Sequence, residues 1–409
     1  MRKKRTVGVI LLIALLSSTL FLNTDGVQAL SHRIVWDGYN GSEEQALLMG
    51  NEWYVPADAL KNAFGIQVRT TDKQLDLAPT DNLNSQWVYT PTHYRDEVVT
   101  LMYHNVQKNP DNVTFISPNQ LEEQIQALLH NNYHFISMDQ YMNFMLHGGS
   151  VPPNAVLMTF DDGYESFYTE VYPIMQKYHI PATNFVIVSA IDNRKSAGRP
   201  KLTWEQMREM KRNGMSFFSH TYNSHVYTVV NEQGSLRPML SKPEYLKKLH
   251  RKETRTEFTA KVKKDLKRAE DRLKQMLGNT YSVVAFPYGA YNKDVLEVCK
   301  QLGIHVTFTV KPGINQRTTT NGFRINAGNQ KIRTSELLER MGNKGKNVQL
   351  GRAKTSYTVS WDQAPIYSEL TPVKKKEIWY LPLHQLHQLF GIKYEIDDVQ
   401  QIVRLFPGK

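Results

Sequence analysis

Short apolar runs alternate with amphipathic stretches between about residues 95 and 345. The apolar runs predict strands at 98–103, 155–160, 183–188, 215–218, 283–286 and 306–310. Apolar residues at helical spacing predict helices at 121–129, 167–178, 205–213, 259–277 and 292–302. This alternation predicts an α/β fold with a parallel sheet covered by helices, either open or closed as a barrel. Residues 231–258 are polar and basic without a clear period, so we interpret them as a loop.

The two ends of the chain resemble each other. Residues 52–66 read EWYVPADALKNAFGI and residues 378–392 read IWYLPLHQLHQLFGI. Each copy predicts a strand, a short helix that begins after the proline, and a glycine that ends the helix. Both copies are similar to the small stalk modules known as copper-amine-oxidase-like N-terminal domains, a name that implies no copper here. We predict small α+β modules at 30–90 and 355–409, which pack together or against the central domain because so short a segment buries little core.

The N-terminus has the pattern of a secretory signal. Basic residues at 2–5 precede the apolar run 9–16, and Val27-Gln28-Ala29 fits a cleavage site. The apolar stretch falls short of the roughly 20 residues that a membrane span needs, which favours cleavage over an uncleaved anchor. We therefore predict a signal peptide at 1–29, no stable transmembrane span after cleavage, and a secreted or cell-surface protein of Gram-positive type.

The charge of the chain is consistent with a surface location. The 409 residues carry a formal net charge of +11 at pH 7, and removing 1–29 takes away four basic residues and one acidic residue, which leaves +8. Anionic cell-wall polymers are suitable partners for such a charge, whereas nucleic acid is not predicted because no nucleic-acid-binding motif accompanies it. A solvated basic surface is the alternative interpretation.

Two adjacent acids end the predicted strand 155–160. The stretch MTFDDGY places Asp161 and Asp162 directly before Gly163. Active residues of parallel α/β folds lie at the carboxyl ends of strands, and a glycine permits a turn that brings both acids to one site. Close carboxylates raise one another's pKa unless a cation neutralises them. The pair therefore indicates a metal site.

Two histidines follow another predicted strand, in the stretch SHTYNSH at 219–225. His220 and His225 are too far around a helix to share a face, but a loop at a strand end allows both to point inward. Two loop histidines alone are more often solvent-exposed than metal ligands. Combined with one carboxylate they match a catalytic zinc site, and the same ligand count also fits an iron oxygenase.

Three motifs together resemble a known family. TFDDGY, the histidine stretch and Phe286-Pro287-Tyr288-Gly289 occur in the order typical of NodB-homology polysaccharide deacetylases, which form carbohydrate esterase family four. The resemblance covers about residues 95–330, is closest to the poly-N-acetylglucosamine deacetylase branch, and argues against the iron oxygenase. It implies a distorted (β/α) barrel and a polysaccharide deacetylase domain at 95–345.

The resemblance also implies roles for individual residues. Asp161 resembles the general base, and Asp162, His220 and His225 resemble the metal ligands. The backbone amide of Tyr288 resembles the group that stabilises the oxyanion. The implied reaction is hydrolysis of N-acetyl groups on an N-acetylglucosamine polymer such as an exopolysaccharide or peptidoglycan, which releases acetate. The implied cofactor is a divalent metal, with Zn²⁺ first and Co²⁺, Ni²⁺ or Mn²⁺ as alternatives.

Residues near these motifs are predicted to bind substrate. Aromatic side chains stack on sugar rings, although core packing is at least as common for each one singly. His104 ends the predicted strand 98–103 and either lines the site or bonds a neighbouring loop. The predicted substrate contacts are Tyr164, Pro287, Gly289, Tyr291 and His104.

The chain departs from the family pattern in two places. The family often has an arginine that orients the base, but the matching position is Ala285, and residues 306–350 contain no histidine that supplies the general acid. The poly-N-acetylglucosamine branch shares both absences, so they do not imply inactivity. They leave the acid unassigned, with His104 and water as candidates. Two alternative functions remain, a non-catalytic wall-glycan-binding protein and an O-deacetylase of acetylated polysaccharide.

Overall fold

A computed structural model describes residues 30–36, 39–71, 74–79, 92–194, 198–342, 358–361, 364–366 and 371–406. The signal peptide predicted at 1–29 lies outside these residues. None of the helices described is both long and apolar enough to cross a membrane.

A parallel sheet forms the centre of the molecule. Its strands are β1 (Val98–Tyr103), β2 (Ala155–Asp161), β3 (Thr183–Val186), β4 (Ser216–Ser219), β5 (Val283–Ala285) and β6 (Val306–Phe308). They lie side by side in chain order, each parallel to the next, and His134–Phe135 also pairs with β2. Strands β1 and β2 are buried along their whole length, as parallel strands covered on both faces are. The predicted α/β class is confirmed.

The sheet curls so that one short segment reaches both of its edges. Strand β7 (Asn321–Gly322) pairs with β6, and β8 (Ile325–Asn326) pairs with β1. The chain therefore crosses from the last strand back to the first within six residues, so it bridges the two edges of a curled, distorted barrel. The carboxyl ends of all the central strands lie at the same end of this barrel.

Helices cover the outside of the sheet. They span Pro118–His130, Met138–His147, a π turn at Phe167–Val171 that continues as Tyr172–Tyr178, then Val188–Asp192, Trp204–Arg212, Arg255–Leu277, Lys293–Gln301 and Thr334–Gly342. The Thr203 side chain and Gln206 form a capping box at the start of Trp204–Arg212. The helices at 138–147 and 334–342 were not predicted from the sequence.

The interpretation of residues 231–258 as a loop was wrong. This region takes part in two antiparallel hairpins, Tyr227–Val229 with Leu236–Pro238 and Tyr245–Leu246 with Arg251–Lys252. The long helix then begins at Arg255, behind a capping box of Thr254 and Glu257. Strands of two or three residues are too short to give the alternation that identifies a strand in a sequence.

The two ends of the chain form one intertwined body. The N-terminal part contributes Leu30–Trp36, Tyr39–Met49, Glu52–Pro56, the helix Ala57–Phe64, Ile66–Thr71 and Gln74–Pro79. The C-terminal part contributes Thr358–Trp361, Ala364–Ile366, Val373–Lys375, Ile378–Pro382, the helix Leu383–Phe390, Lys393–Asp397 and Ile402–Phe406. The first strand of each part pairs with the last strand of the other, Leu30–Trp36 with Ile402–Phe406 and Thr358–Trp361 with Gln74–Pro79.

The repeated motifs meet at the centre of this body. Strand Glu52–Pro56 pairs antiparallel with Ile378–Pro382, so that Tyr54 lies opposite Pro382 and Tyr380 opposite Pro56. Equivalent residues thus exchange partners, as in a two-fold interface. Side chains from both parts form one apolar core. Neither part can bury its apolar face without the other.

We expect the equivalent leucines Leu60 and Leu386 to stabilise the same unit. Both are fully buried in the shared core, so Leu60→Ala and Leu386→Ala each cost about 2–5 kcal/mol of unfolding free energy. Hydrogen exchange measured by mass spectrometry should accelerate in both 30–79 and 371–406 for either variant. Val399→Ala, at a residue that is 95% exposed, is the matched control without an effect. Acceleration confined to the mutated part would contradict the shared core.

Candidate active site

The acid pair lies where β2 ends and the chain turns sharply. Asp161 is the last residue of this buried strand. Asp162 and Gly163 have φ angles of 75° and 67°, a conformation that costs a non-glycine residue about 1–3 kcal/mol. A Cβ atom on Gly163 would approach Val186 Cγ1 to 3.1 Å, so both space and conformation favour glycine here. The turn directs the two carboxylates to the same end of the barrel.

The loop 220–225 carries both histidines and follows β4 directly. Thr221 has a φ angle of 71°, which reverses the chain. Asp265 from the long helix accepts hydrogen bonds from the backbone N–H groups of Tyr222 at 3.1 Å and Asn223 at 2.8 Å. Burial raises the pKa of Asp265. These bonds hold the loop folded, so that both of its histidines point towards the acid pair.

Asp162, His220 and His225 converge on one point. Their ligand atoms all lie within 4.8 Å of one another, and Asp162 Oδ1 is 3.6 Å from His220 Nε2 and 3.2 Å from His225 Nε2. Within the described residues, this buried Oδ1 atom has no hydrogen-bond partner. Burial raises the pKa of Asp162, but the neighbouring imidazoles lower it by more, so the carboxylate stays charged. A buried anionic oxygen facing two imidazole nitrogens fits a divalent metal ion.

Each imidazole is oriented through its second nitrogen. His220 Nδ1 lies 2.8 Å from the carbonyl oxygen of Ala285. His225 Nδ1 lies 3.0 Å from the Tyr288 hydroxyl, which can donate in turn to the His225 carbonyl at 3.4 Å. Protonated Nδ1 atoms leave both Nε2 lone pairs directed at Asp162. Burial lowers the pKa of His220 to about 4, so this imidazole is neutral at neutral pH, as a metal ligand must be.

Arg324 is the site residue that the sequence analysis missed. Its Nη1 and Nη2 atoms donate to the two carboxylate oxygens of Asp161 at 2.7 and 2.8 Å, and its Nε atom donates to the Thr309 carbonyl at 2.8 Å. Arg324 is fully buried. Burial raises the pKa of Asp161, but the charges of Arg324 and His220 outweigh it and lower that pKa overall. Asp161 is therefore held rigidly as an anion.

The conclusion that the orienting arginine is missing was wrong. Position 285 holds alanine, but Arg324 reaches the same carboxylate from the segment between β7 and β8. A bidentate pair fixes the plane of the carboxylate as well as its charge. No pattern of apolar residues could have indicated this contact, because β7 and β8 have only two residues each.

We expect Arg324→Met to destabilise the metal-free protein by about 3–5 kcal/mol near neutral pH, because it leaves the buried Asp161 charge unpaired. With the lowered pKa of the wild type, the ionised Asp161 stabilises the fold at neutral pH and this contribution is lost as the pH falls. Without the guanidinium, burial favours protonation of Asp161, so the difference between variant and wild type should shrink at about pH 5. Urea unfolding at both pH values measures this.

The control for this experiment is Arg340→Met. Arg340 pairs with Glu336 at 2.6 Å on a partly exposed helix face, and such a pair contributes only about 0–1 kcal/mol. A loss for Arg324→Met no larger than that of the control, or one independent of pH, would contradict the role assigned to the buried pair.

His104 and Tyr164 both lie close enough to the acid pair to interact with it. His104 follows β1 and is partly buried, and its charge lowers the pKa of both aspartates. Lys201, which is 4% exposed, places its Nζ atom 3.7 Å from the ring centroid of Tyr164 and donates to the Asp162 carbonyl at 2.9 Å. Burial lowers the pKa of Lys201 to about 8. Lys201 fixes the turn after the acid pair and was not anticipated from the sequence.

The motif at 286–289 brings Tyr288 beside the histidines. Tyr288 and Gly289 have φ angles of 59° and 64°, and a Cβ atom on Gly289 would lie 2.9 Å from the Val310 backbone nitrogen. Pro287 is buried, and Tyr291 packs against the core with its ring 5.3 Å from that of Phe286. The substrate contacts assigned to Pro287, Gly289 and Tyr291, like those of His104 and Tyr164, stay predictions.

Comparison with known proteins gives the central segment a family. Residues 148–307 match the family model described as polysaccharide deacetylase. The matched segment therefore resembles a polysaccharide deacetylase domain. This domain contains the acid pair, both histidines and the 286–289 motif, whereas Arg324 and His104 lie outside the matched residues.

Relatives of known name extend the likeness beyond the matched segment. A poly-β-1,6-N-acetyl-D-glucosamine N-deacetylase of Escherichia coli K12 is 32% identical over 229 residues, which are 53% of this chain and 34% of that protein. The enzyme of the same name from Staphylococcus aureus MRSA252 is 28% identical over 197 residues, 48% of this chain and 61% of that protein. The chain thus spans about a third of the E. coli relative and three fifths of the S. aureus relative.

Solved structures support the fold of the deacetylase domain. A de-N-acetylase from Aggregatibacter actinomycetemcomitans superposes with a TM-score of 0.52 at 27% identity, covering 56% of this chain and 94% of that chain. The deacetylase domain of BpsB from Bordetella bronchiseptica gives a TM-score of 0.50 at 27% identity, covering 56% and 95%. The distorted barrel predicted from the resemblance is confirmed.

Proposed function

We propose that this protein removes N-acetyl groups from a polysaccharide that contains N-acetylglucosamine and releases acetate. The observation that carries the proposal is the convergence of Asp162, His220 and His225 beside an aspartate that Arg324 holds as an anion. These residues lie in and next to a polysaccharide deacetylase domain. A glycan-binding protein without activity has no use for an unpaired buried carboxylate oxygen, so the arrangement favours an enzyme.

Asp162, His220 and His225 would hold a divalent metal ion, with Zn²⁺ as the first choice and Co²⁺, Ni²⁺ or Mn²⁺ as alternatives. Such an ion supplies Lewis acidity to the acetyl carbonyl and increases the acidity of the attacking water. The protein's own part is to keep His220 neutral by burial and to aim the Nε2 atoms of both imidazoles through the contacts of their Nδ1 atoms.

Asp161 is the proposed general base. Its carboxylate, fixed in plane by Arg324, accepts the proton of the water that attacks the acetyl carbon. The backbone N–H of Tyr288 donates to the acetyl oxygen as it gains negative charge. His104 is the proposed proton donor to the departing nitrogen, with water as its competitor. The products are acetate and a free amine on the sugar.

Acetate release from a panel of polymers tests this proposal. The panel consists of poly-β-1,6-N-acetylglucosamine, peptidoglycan, chitin oligomers and O-acetylated xylan, each offered to metal-free and zinc-loaded protein. Release from one of the N-acetylated polymers only with zinc supports the proposal. Release from xylan alone would support the O-deacetylase, and binding without any release would support a glycan-binding protein.

The chain beyond the deacetylase domain adds two further proposals. With the signal predicted at 1–29, we propose that the protein acts outside the cell, secreted or attached to the cell surface, where anionic wall polymers are potential partners. We also propose that the intertwined body of 30–79 and 358–406 is a single module rather than two stalk modules, because its strands pair across the two ends.

A further inference from the structure

A row of three rings runs from the candidate metal site to the surface. The ring of His225 lies 4.4 Å from that of Tyr288, which lies 4.7 Å from that of Tyr227. Tyr227 is 53% exposed and Tyr288 is 40% exposed. An aromatic surface therefore extends from the candidate metal site beyond Tyr288 to Tyr227.

Tyr227 belongs to a hairpin whose exposed face is apolar. In the pairing of Tyr227–Val229 with Leu236–Pro238, Tyr227 lies opposite Pro238 and Val229 opposite Leu236. Residues opposite one another point to the same face, so these four apolar side chains share one face, while Thr228 and Arg237 point to the other. Leu236 is 54% exposed. An exposed apolar surface at the rim of a site marks a place where a ligand binds.

The hairpin is held rigid at both of its ends. At the turn, Asn231 Oδ1 accepts from the backbone N–H of Ser235 at 2.8 Å. At the base, the Met239 N–H donates to the Val226 carbonyl at 3.0 Å, and Leu240, 1% exposed, packs into a core cluster. A rigid surface loses little conformational entropy when a ligand binds, so the position of the Tyr227 ring is suited to recognition.

We propose that Tyr227, with Leu236 beside it, forms a sugar-binding subsite for the residue next to the one that is deacetylated. The apolar faces of pyranose rings pack on aromatic side chains, and a polymeric substrate necessarily extends beyond the reacting sugar. The hairpin face contains no charged side chain, which suits a neutral N-acetylated polymer better than a polyanion. This inference rests on the proposed function, because it takes the reacting sugar to lie at the metal site.

The test compares Tyr227→Ala, Tyr227→Phe and wild type on N-acetylglucosamine itself and on its β-1,6-linked oligomers from dimer to hexamer. For the oligomers, but not for the monosaccharide, we expect Tyr227→Ala to lower kcat/KM about tenfold, mainly through KM, because the contact between the ring and the neighbouring sugar is lost. Tyr227→Phe keeps the ring and should behave as wild type. Leu249→Ala, at a residue that is 59% exposed on the other hairpin, is the control without an effect.

Two kinetic outcomes would overturn the subsite. An equal loss on the monosaccharide and on the hexamer would show that Tyr227 acts through Tyr288 and the metal site, and no loss on any oligomer would show that the ring touches no sugar. Unchanged oligomer kinetics combined with weaker binding of Tyr227→Ala to anionic phospholipid vesicles would assign the face to a membrane surface instead.

A binding measurement separates this inference from the proposed function. If wild type releases no acetate from any oligomer or from any N-acetylated polymer of the panel, the proposed function fails, and calorimetric titration of the hexamer into zinc-loaded protein still tests the subsite. Binding to wild type that is about tenfold weaker in Tyr227→Ala supports the subsite. Equal affinity of the two proteins, or no binding by wild type, overturns it.

Discussion

Asp161→Asn should lower kcat for acetate release by about 10²–10⁴-fold and change KM little. An amide cannot take the proton from the attacking water, whereas the ground-state contacts with the sugar do not involve this carboxylate in the proposed arrangement. The three proposed metal ligands are unchanged, so the zinc content should stay within about twofold of wild type. Even the removal of a residue that supports a ligand lowers metal affinity by more than this, about 10–100-fold. Initial rates of acetate release and metal analysis of the same preparations measure both quantities.

The adjacent residue provides the comparison for this variant. Asp162→Asn alters a carboxylate of the same pair by the same chemical change, but it should lose metal rather than only turnover, because Asp162 Oδ1 faces both histidines. Wild-type rates for Asp161→Asn would refute its role as the base. Loss of zinc from Asp161→Asn as severe as from Asp162→Asn would mean that the two acids do not have separate roles.

The central fold follows from the sequence because its strands are unambiguous. The continuous apolar runs at 98–103 and 155–160 can only be buried on both faces, and the structure has them as Val98–Tyr103 and Ala155–Asp161. The acid pair and the histidine loop follow such strands directly, so the topology alone brings them to one end of the barrel. The convergence of these residues could therefore be predicted without knowing where their side chains lie.

Contacts between distant segments are what the sequence did not reveal. Arg324 pairs with Asp161 across 163 positions, and in the sequence a buried arginine looks the same as one on the surface. The burial of Lys201 could not be predicted from the sequence either, because its contact with Tyr164 depends on how two loops meet. Tyr227 belongs to strands too short to show alternation. Each of these residues acts through tertiary packing, which periodicity does not encode.

The intertwined ends illustrate the same limit at the level of whole strands. The repeat predicts the strand and the helix at the centre of each copy, but a strand with one apolar face pairs equally well within its own copy or with the other. The structure joins Leu30–Trp36 to Ile402–Phe406 in parallel, a pairing between opposite ends of the chain. Alternation fixes which face is buried but does not identify the partner strand.

Stripping the metal should abolish acetate release, and adding zinc should restore it. The three proposed ligands and the residues that support them should contribute differently to zinc affinity, which gives a graded series of variants for this prediction. Asp162→Asn removes a ligand oxygen, whereas Tyr288→Phe removes only the hydroxyl beside His225 Nδ1. A supporting residue of this kind costs about 10–100-fold in metal affinity, and the loss of a ligand should cost more. Tyr291→Phe removes a hydroxyl that lies 3.5 Å from Lys311 Nζ and supports none of the three proposed ligands, so it should keep the affinity of wild type.

Competition with a chromophoric chelator gives the zinc dissociation constant of each variant without reference to activity. The expected order of affinity is wild type equal to Tyr291→Phe, then Tyr288→Phe, then Asp162→Asn. Full activity of the metal-free protein would show that the reaction does not use a metal. If Asp162→Asn kept the zinc affinity of wild type, the metal would have to be bound elsewhere. An ion held among Asp162, His220 and His225 must bind more weakly once the anionic oxygen that faces both imidazoles is removed.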